Sequence, residues 1–151
     1  MSPANVALPP LAIRITRADV IRYAGAATDF NPIHWSDRHA AALKLPGVIA
    51  HGLFTMALAL RIVTDWIEDP RSVISYSCRF GRPVFVPDTD EGVELQVNGR
   101  VSDVAADKVT IRLHVTVNGA PVLTKVVCEV KPPPPDSAAG RALAAAAAEN
   151  L

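Results

Sequence analysis

The longest apolar segment of the chain follows Gly52 and contains neither proline nor glycine up to Ile67. Its many Ala, Leu and Met residues predict one helix of about 16 residues, roughly 24 Å long. Apolar side chains occur on nearly every side of this helix, a distribution typical of a helix enclosed by other elements. We therefore expect this segment to be the buried centre of the fold.

Four later segments alternate apolar and polar side chains, as half-buried antiparallel strands do. They cover residues 74–80, 93–101, 109–117 and 122–130. Asn118-Gly119, between the last two, is a strong hairpin signal. In the third strand the polar side chains are expected to face away from the core: Thr110, Arg112, His114 and Thr116. The pattern predicts one long helix lying on a curled antiparallel sheet.

Shorter elements are predicted before the long helix. Residues 11–15 alternate as a strand does, and Thr16 with Asp19 three positions later is close to a capping box. A helix should follow from residue 17 to about residue 26, with three apolar side chains inward: Val20, Ile21 and Ala24. A further short helix through residue 42 would be capped by Ser36.

Four consecutive prolines, Pro132 to Pro135, mark the end of the predicted domain, because they cannot join a strand ladder and favour an extended spacer. We expect a single domain over residues 1–131 and a Pro/Ala-rich tail over residues 132–151. A helix of a turn or two in that tail would be marginal in water.

Composition narrows the function classes. The chain has 151 residues and is 50% hydrophobic, which is ample for one core, and its 15 basic and 15 acidic residues cancel. No global field therefore favours nucleic acid or an anionic membrane. The apolar run is short for a membrane span and contains Arg61, so we expect a cytoplasmic protein. The cysteines Cys78 and Cys128 lie in predicted strands, and we infer neither a disulfide nor a metal site.

Asp29 and His34 are the clearest acid and base pair in the sequence. Asn31-Pro32 between them stops a helix and would fold the segment so that the two side chains converge. Each residue alone is more often structural, since an aspartate after a helix commonly forms an Asx turn and a histidine near apolar residues is commonly part of the core. The spacing by itself leaves both interpretations open.

His51-Gly52 stands at the predicted start of the long helix. The first N–H groups of a helix lack intrahelical partners and carry partial positive charge, and glycine lets a ligand carbonyl approach the backbone. An acid and base pair beside such an oxyanion site is what proton abstraction next to a carbonyl requires. The alternative is that Gly52 only permits tight packing.

Two motifs together resemble the MaoC-like family of (R)-specific enoyl-thioester hydratases and dehydratases. They are Thr28-Asp29-Phe30-Asn31-Pro32-Ile33-His34 and Ile49-Ala50-His51-Gly52. The similarity covers about residues 13–130 and includes Arg79-Phe80 and Pro83-Val84-Phe85, which are similar to that family's strand after the central helix. The resemblance implies an α+β hot-dog fold, in which a curved antiparallel sheet wraps around one long helix. More narrowly, residues 31–35, 50–52 and 55–56 resemble the B-type catalytic subunit of actinobacterial (3R)-hydroxyacyl-ACP dehydratases.

The resemblance implies that Asp29 and His34 are the catalytic pair, that the Gly52 N–H holds the thioester oxygen, and that Asn31 orients the pair or the substrate. Dehydration would remove the C2 proton of a (3R)-3-hydroxyacyl thioester and protonate the departing hydroxyl, and hydration is the reverse. We assign the C2 proton to His34 and the oxygen to Asp29, with the two roles open to exchange. No metal or redox cofactor is expected.

The remaining candidates concern the substrate and the assembly. His51 and Thr55 are assigned to substrate binding, and Ala57 stands where many hydratases carry a pocket serine. Arg79 and Arg82 could meet the phosphates of CoA or the acidic surface of an acyl carrier protein, or be ordinary solvated residues.

Four activities fit these residues, and an ACP dehydratase is favoured. The alternatives are an (R)-specific enoyl-CoA hydratase, a non-catalytic acyl-binding subunit and a hot-dog thioesterase. Because hot-dog proteins generally pair edge to edge, we expect a homodimer or a heterodimer with a second hot-dog subunit.

Overall fold

The computed structural model describes residues 5–149. Five antiparallel strands form one sheet in the order β1-β3-β4-β5-β2. The strands are β1 (Leu11–Ile15), β2 (Val73–Phe80), β3 (Val93–Val104), β4 (Val109–Val117) and β5 (Ala120–Val130). The helices are α1 (Arg17–Ala27), α2 (Asp37–Ala42), α3 (Gly52–Ile67) and α4 (Ala138–Ala148), with short 3₁₀ helices at Pro32–His34 and Pro70–Ser72.

The 16-residue helix α3 confirms the prediction for the long apolar segment. It lies against β2, β3 and β5, and its buried side chains join those of the sheet in one apolar cluster. The side chains that α3 contributes to this cluster are Ala59, Ile62, Val63 and Ile67. A long helix on an antiparallel sheet confirms the α+β architecture expected of a hot-dog fold.

Two burial predictions for helices are wrong. Helix α3 is not enclosed on all sides, because Leu53 is 63% exposed and Ala57 and Arg61, each four residues further on, share that outward face. Ile21 of α1 is 56% exposed, although Val20 and Ala24 are buried. Positions one residue apart on a helix differ by about 100° in direction, so Ile21 and Val20 do not share the inward face.

The four predicted strands are confirmed as β2 to β5, and β3 buries its odd positions at Leu95, Val97 and Val101. Thr116 of β4 is buried, contrary to the outward position predicted for it. The pairing of β4 with β5 shifts register on both sides of Val115, so the alternation of faces breaks there. Strand β2 is an edge strand, paired with β5, and exposes Ile74 and Phe80.

Local capping sets the ends of the short helices. The predicted capping box opens α1, where the Thr16 N–H donates to Asp19 Oδ2 over 2.9 Å. Ser36 caps α2, accepting the N–H of His39 as predicted from the sequence. Helix α1 ends at Thr28, whose φ of 54° is left-handed, and this reversal turns the chain into the segment that carries Asp29.

The segment after β5 is more ordered than its composition predicts. Helix α4 has 11 residues and begins after Ser137, whose Oγ accepts the N–H of Gly140. Ala139 and Gly140 are buried. Leu143 packs partly against the core, so tertiary contact stabilises a helix that would be marginal alone. The domain boundary at residue 131 stays a prediction.

Both cysteines lie in strands, as expected, and carry free thiols. Burial raises the pKa of the Cys128 thiol to about 11, so this sulfur behaves as an inert core group. No helix within residues 5–149 is long and apolar enough to cross a membrane.

The packing of α4 can be tested with two matched glycine substitutions. A Cβ on Gly140 would lie 2.1 Å from the carbonyl oxygen of Pro134, whereas a Cβ on Gly25 of α1 would meet nothing within 4 Å. We expect Gly140→Ala to lower the free energy of unfolding by about 1–3 kcal/mol. Gly25→Ala should raise it by about 0.5–1 kcal/mol. Urea denaturation measures both, and equal stabilisation by both substitutions would show that α4 is not packed against Pro134.

Candidate active site

The first part of the site is the loop that follows α1. The Asn31 N–H donates to Asp29 Oδ1 over 3.2 Å, and Asn31 Oδ1 accepts the N–H of Ile33 over 3.3 Å. Asn31 therefore holds the Asp29 carboxylate through its backbone and caps the 3₁₀ helix that carries His34 through its side chain. This geometry supports the expectation that Asn31 orients the pair.

The second part is the extended segment before α3, which is held on both sides. On one side, the Ile49 N–H donates to the Ile33 carbonyl over 3.2 Å, and His34 Nδ1 lies 2.7 Å from the Ile49 carbonyl oxygen. On the other side, the Ala50 N–H donates to the Val84 carbonyl over 2.9 Å. A carbonyl cannot donate, so His34 carries its proton on Nδ1 and leaves Nε2 as an acceptor.

The two segments bring Asp29, His34 and His51 together. The rings of His34 and His51 stack with centroids 3.7 Å apart and planes inclined by 22°. His51 Nε2 lies 3.2 Å from the Asp29 carbonyl oxygen and 4.0 Å from Asp29 Oδ2. Nitrogen or carboxylate oxygen atoms of the three side chains all lie within 4.8 Å of one another. The convergence of Asp29 with His34 that the sequence suggested is therefore present.

The surroundings keep His34 in its basic form. Burial, as the largest effect, lowers the pKa of His34 below its ordinary 6.5, and the neighbouring His51 lowers it further. The hydrogen bond to Ile49 and the carboxylate of Asp29 oppose this shift. The Asp29 side chain is 52% exposed, so one member of the pair contacts water while the other is enclosed. A neutral imidazole with a free Nε2 suits a general base.

A cleft of about 250 Å³ opens beside His34, and Asp29 is not among the residues that line it. Most of its wall is apolar, and His34 and the start of α3 at Gly52 form its polar end. The Phe80 ring lies against Gly52, since a Cβ on Gly52 would approach this ring to 3.0 Å. The other lining residues are Ile49, Ala50, Thr55, Gly81, Arg82, Pro83, Val84, Val122 and Leu123. A carbonyl placed here can meet both a helix N-terminus and the His34 imidazole.

The predicted substrate-binding residues separate into two groups. Thr55 and Arg82 line the cleft, although the Thr55 hydroxyl donates to the His51 carbonyl over 3.2 Å. Arg79 is exposed on β2 and is not among the residues that line the cleft. His51 is 3% exposed and is also outside that lining.

Sequence reasoning missed two contributors to the site. The Ile49 carbonyl fixes the His34 tautomer, but a backbone acceptor leaves no signal in residue type. Phe80 forms a wall of the cleft, although the sequence indicated only an apolar position in an alternating strand. Its position immediately before Gly81, where the strand ends, is a signal that could have been used.

The same three side chains offer ligand atoms at distances that a metal ion could span. Their orientation is less suitable, because two nearly parallel stacked rings direct their in-plane lone pairs side by side rather than toward one point. His34 Nδ1 and His51 Nε2 are also engaged by carbonyl oxygens. The arrangement favours hydrogen bonding and proton transfer over metal coordination.

Comparison with known proteins identifies the family of the chain. Residues 3–119 match the family model described as MaoC like domain. The chain belongs to the MaoC-like family. It is 43% identical over 82 residues to 3-hydroxyacyl-thioester dehydratase X of Mycobacterium tuberculosis, which covers 54% of this chain and 28% of that protein. The chain therefore spans about a quarter of the length of that relative.

Solved structures of MaoC-like proteins share the fold. A MaoC-like dehydratase superimposes with a TM-score of 0.80 at 28% identity, over 86% of this chain and 43% of that one. The (R)-hydratase from A. caviae involved in PHA biosynthesis gives a TM-score of 0.74 at 25% identity, over 86% and 96% of the two chains. These matches confirm the hot-dog architecture expected from the motifs.

The depressed pKa of His34 predicts a pH dependence of stability. Below about pH 6.5 the unfolded chain protonates this residue before the folded protein does, so the free energy of unfolding falls as the pH is lowered. The loss ends once the pH passes the lower folded-state pKa. Denaturation of wild type and His34→Asn between pH 7 and pH 5 should show a smaller slope in the variant.

His114→Asn, a change on the exposed face of β4, is the matched control and should keep the wild-type slope. Equal slopes in wild type and His34→Asn would contradict the enclosed, neutral imidazole described above.

Proposed function

We propose that this MaoC-like protein is a hydro-lyase that interconverts (3R)-3-hydroxyacyl and trans-2-enoyl thioesters. The observation that carries the proposal is the convergence of the Asp29 carboxylate and the enclosed His34 imidazole beside the start of α3. An acid and base pair next to an oxyanion site matches the chemistry of proton removal beside a thioester carbonyl. The name of dehydratase X supports the substrate class.

In the dehydration direction, the thioester oxygen accepts the Gly52 N–H, and the positive end of α3 stabilises the enolate as negative charge develops. His34 Nε2 removes the C2 proton, because its Nδ1 proton is held by Ile49. The hydroxyl leaves from the Asp29 end as water, taking one proton from the pair. The proton gained from C2 restores the pair, so no net proton is consumed. Hydration follows the same steps in reverse.

For the carrier, we propose acyl-ACP, with acyl-CoA as the alternative. The narrower resemblance of residues 31–35, 50–52 and 55–56 to ACP dehydratases favours the first. The structural likeness to the A. caviae (R)-hydratase supports the alternative, an (R)-specific enoyl-CoA hydratase that acts on acyl-CoA. Arg79 lies near the end of β2, and Arg82 follows this strand and lines the cleft. Two cations close together in the chain would suit an anionic carrier.

We also propose that the protein works as a dimer with an identical or a different hot-dog subunit. The outer edge of β2 has no strand partner among residues 5–149, and an unpaired edge is a template for another chain. The apolar side chains of Ile74 and Phe80 are exposed along this strand. Phe80 also lines the cleft, so pairing at this edge would place a second subunit beside the substrate.

The catalytic assignment is tested by Asp29→Asn and His34→Ala. Removing a positioned acid or base typically costs about 10² to 10⁴ in rate, so kcat for hydration of crotonyl-CoA or a 2-enoyl-ACP should fall by that factor. Asp65→Asn on the exposed side of α3 and His114→Ala on β4 make the same chemical changes away from the cleft. These control variants should retain wild-type kcat.

Near-normal turnover in both Asp29→Asn and His34→Ala would reject the pair. Ligand binding without turnover would instead favour a non-catalytic acyl-binding subunit. Release of free thiol from acyl-CoA would indicate a thioesterase.

The carrier is tested by Arg79→Gln and Arg82→Gln, assayed with crotonyl-CoA and with an ACP-bound substrate of the same acyl group. Exposed ion pairs contribute up to about 1 kcal/mol, so each variant should raise KM for acyl-ACP by roughly 2- to 5-fold. High salt should reduce the difference from wild type. Arg112→Gln, on the outward face of β4, is the control. A rise in KM confined to crotonyl-CoA would favour the CoA hydratase.

A further inference from the structure

We propose that His51 is a positioning residue that sets the distance and orientation between Asp29 and His34, and not a substrate-binding residue. This inference rests on the hydro-lyase function proposed above. Its basis is that one imidazole, 3% exposed, contacts both members of the pair.

His51 touches each member of the pair in a different way. Its ring lies face to face with the His34 ring at a centroid distance of 3.7 Å. Its Nε2 donates to the Asp29 carbonyl over 3.2 Å and lies 4.0 Å from the Asp29 carboxylate. The first contact limits the tilt of His34, and the second holds the backbone from which the carboxylate projects. A shift of about 1 Å in such groups can change a rate 100-fold.

The His51 ring is itself clamped. Tyr23 of α1 packs against it with ring centroids 4.9 Å apart, and Tyr23 also stacks on Phe54 of α3 at 4.8 Å. Because the His51 backbone is the N-cap of α3, the ring has little freedom to move relative to that helix. The ring is therefore a rigid spacer between helix α1 and the catalytic loop.

The hydrogen bond to Asp29 sets the orientation of the His51 ring. Because a carbonyl oxygen accepts, Nε2 is the donor of this bond. The other ring nitrogen, Nδ1, is buried without a hydrogen-bond partner within residues 5–149.

Several titratable groups set the electrostatic environment of His34. Asp29 faces it from the loop and His51 from the start of α3. Arg82 lines the same cleft as His34, and Tyr23 of α1 contacts the His51 ring. Replacing His51 with a neutral ring removes an imidazole that disfavours His34 protonation and keeps the site enclosed. The titration of His34 therefore reports on this contact without any substrate.

The experiment compares His51→Phe, which keeps a ring but lacks the donor, with His51→Gln, whose amide N–H can replace the Nε2 donor. We expect kcat to fall about 100-fold in His51→Phe and about 10-fold in His51→Gln, with KM changed less than about 3-fold. The partial rescue by glutamine follows from the bond to Asp29. In both variants the acid limb of the kcat/KM profile should move to higher pH, because His34 protonates more readily.

Val63→Ala, a core change in α3 remote from the cleft, controls for loss of stability. NMR titration of the His34 ring in substrate-free wild type and variants gives a readout independent of turnover. Wild-type protein without activity on any thioester would reject the proposed function, and the NMR comparison would still test positioning. Unchanged kcat and unchanged His34 titration in both variants would overturn the inference. So would a loss of kcat no larger than that of equally destabilised Val63→Ala with unchanged titration.

Discussion

The hydrogen bond from His34 Nδ1 to the Ile49 carbonyl is the interaction on which the site depends. Together with the bond from the Ile49 N–H to the Ile33 carbonyl, it joins the 3₁₀ helix Pro32–His34 to the extended segment before α3. Helix α2 lies between these two segments in the sequence. It fixes the position of the imidazole. It also fixes the tautomer, because the Ile49 carbonyl oxygen can only accept a hydrogen bond, so the donor Nδ1 carries the proton. Geometry and protonation state therefore have a single origin.

The fold supports this bond from both sides of the extended segment before α3. Residues 48 and 50 pair with the backbone at Val86 and Val84. The segment therefore acts as a short strand between the loop that carries Asp29 and the chain that follows β2. Helix α3 continues directly from that segment, which brings its N-terminus to the same place. The same extended segment thus holds His34 through Ile49 and leads directly into Gly52, the first residue of α3.

Most of the architecture was predictable because local signals and global packing agree. Gly52 marks the start of α3, Thr16 and Ser36 mark caps, and the alternation of β3 identifies its buried face. The burial predictions were wrong where the sequence pattern does not show which element packs against a residue. An apolar residue such as Leu53 does not reveal whether another element covers it, and the register shift near Val115 is invisible in the alternation itself. The likeness of the motifs predicted Asp29 and His34, but the bond to Ile49 depends on backbone geometry.

Phe80 comes from a different part of the chain than the polar residues of the site. Asp29 and His34 belong to the loop after α1 and Gly52 begins α3, whereas this aromatic wall belongs to the edge strand β2. Substitutions along β2 can therefore change the shape of the cleft without replacing any of those three residues. The shape of the cleft and the exposed edge of the sheet would change together, since Phe80 belongs to both.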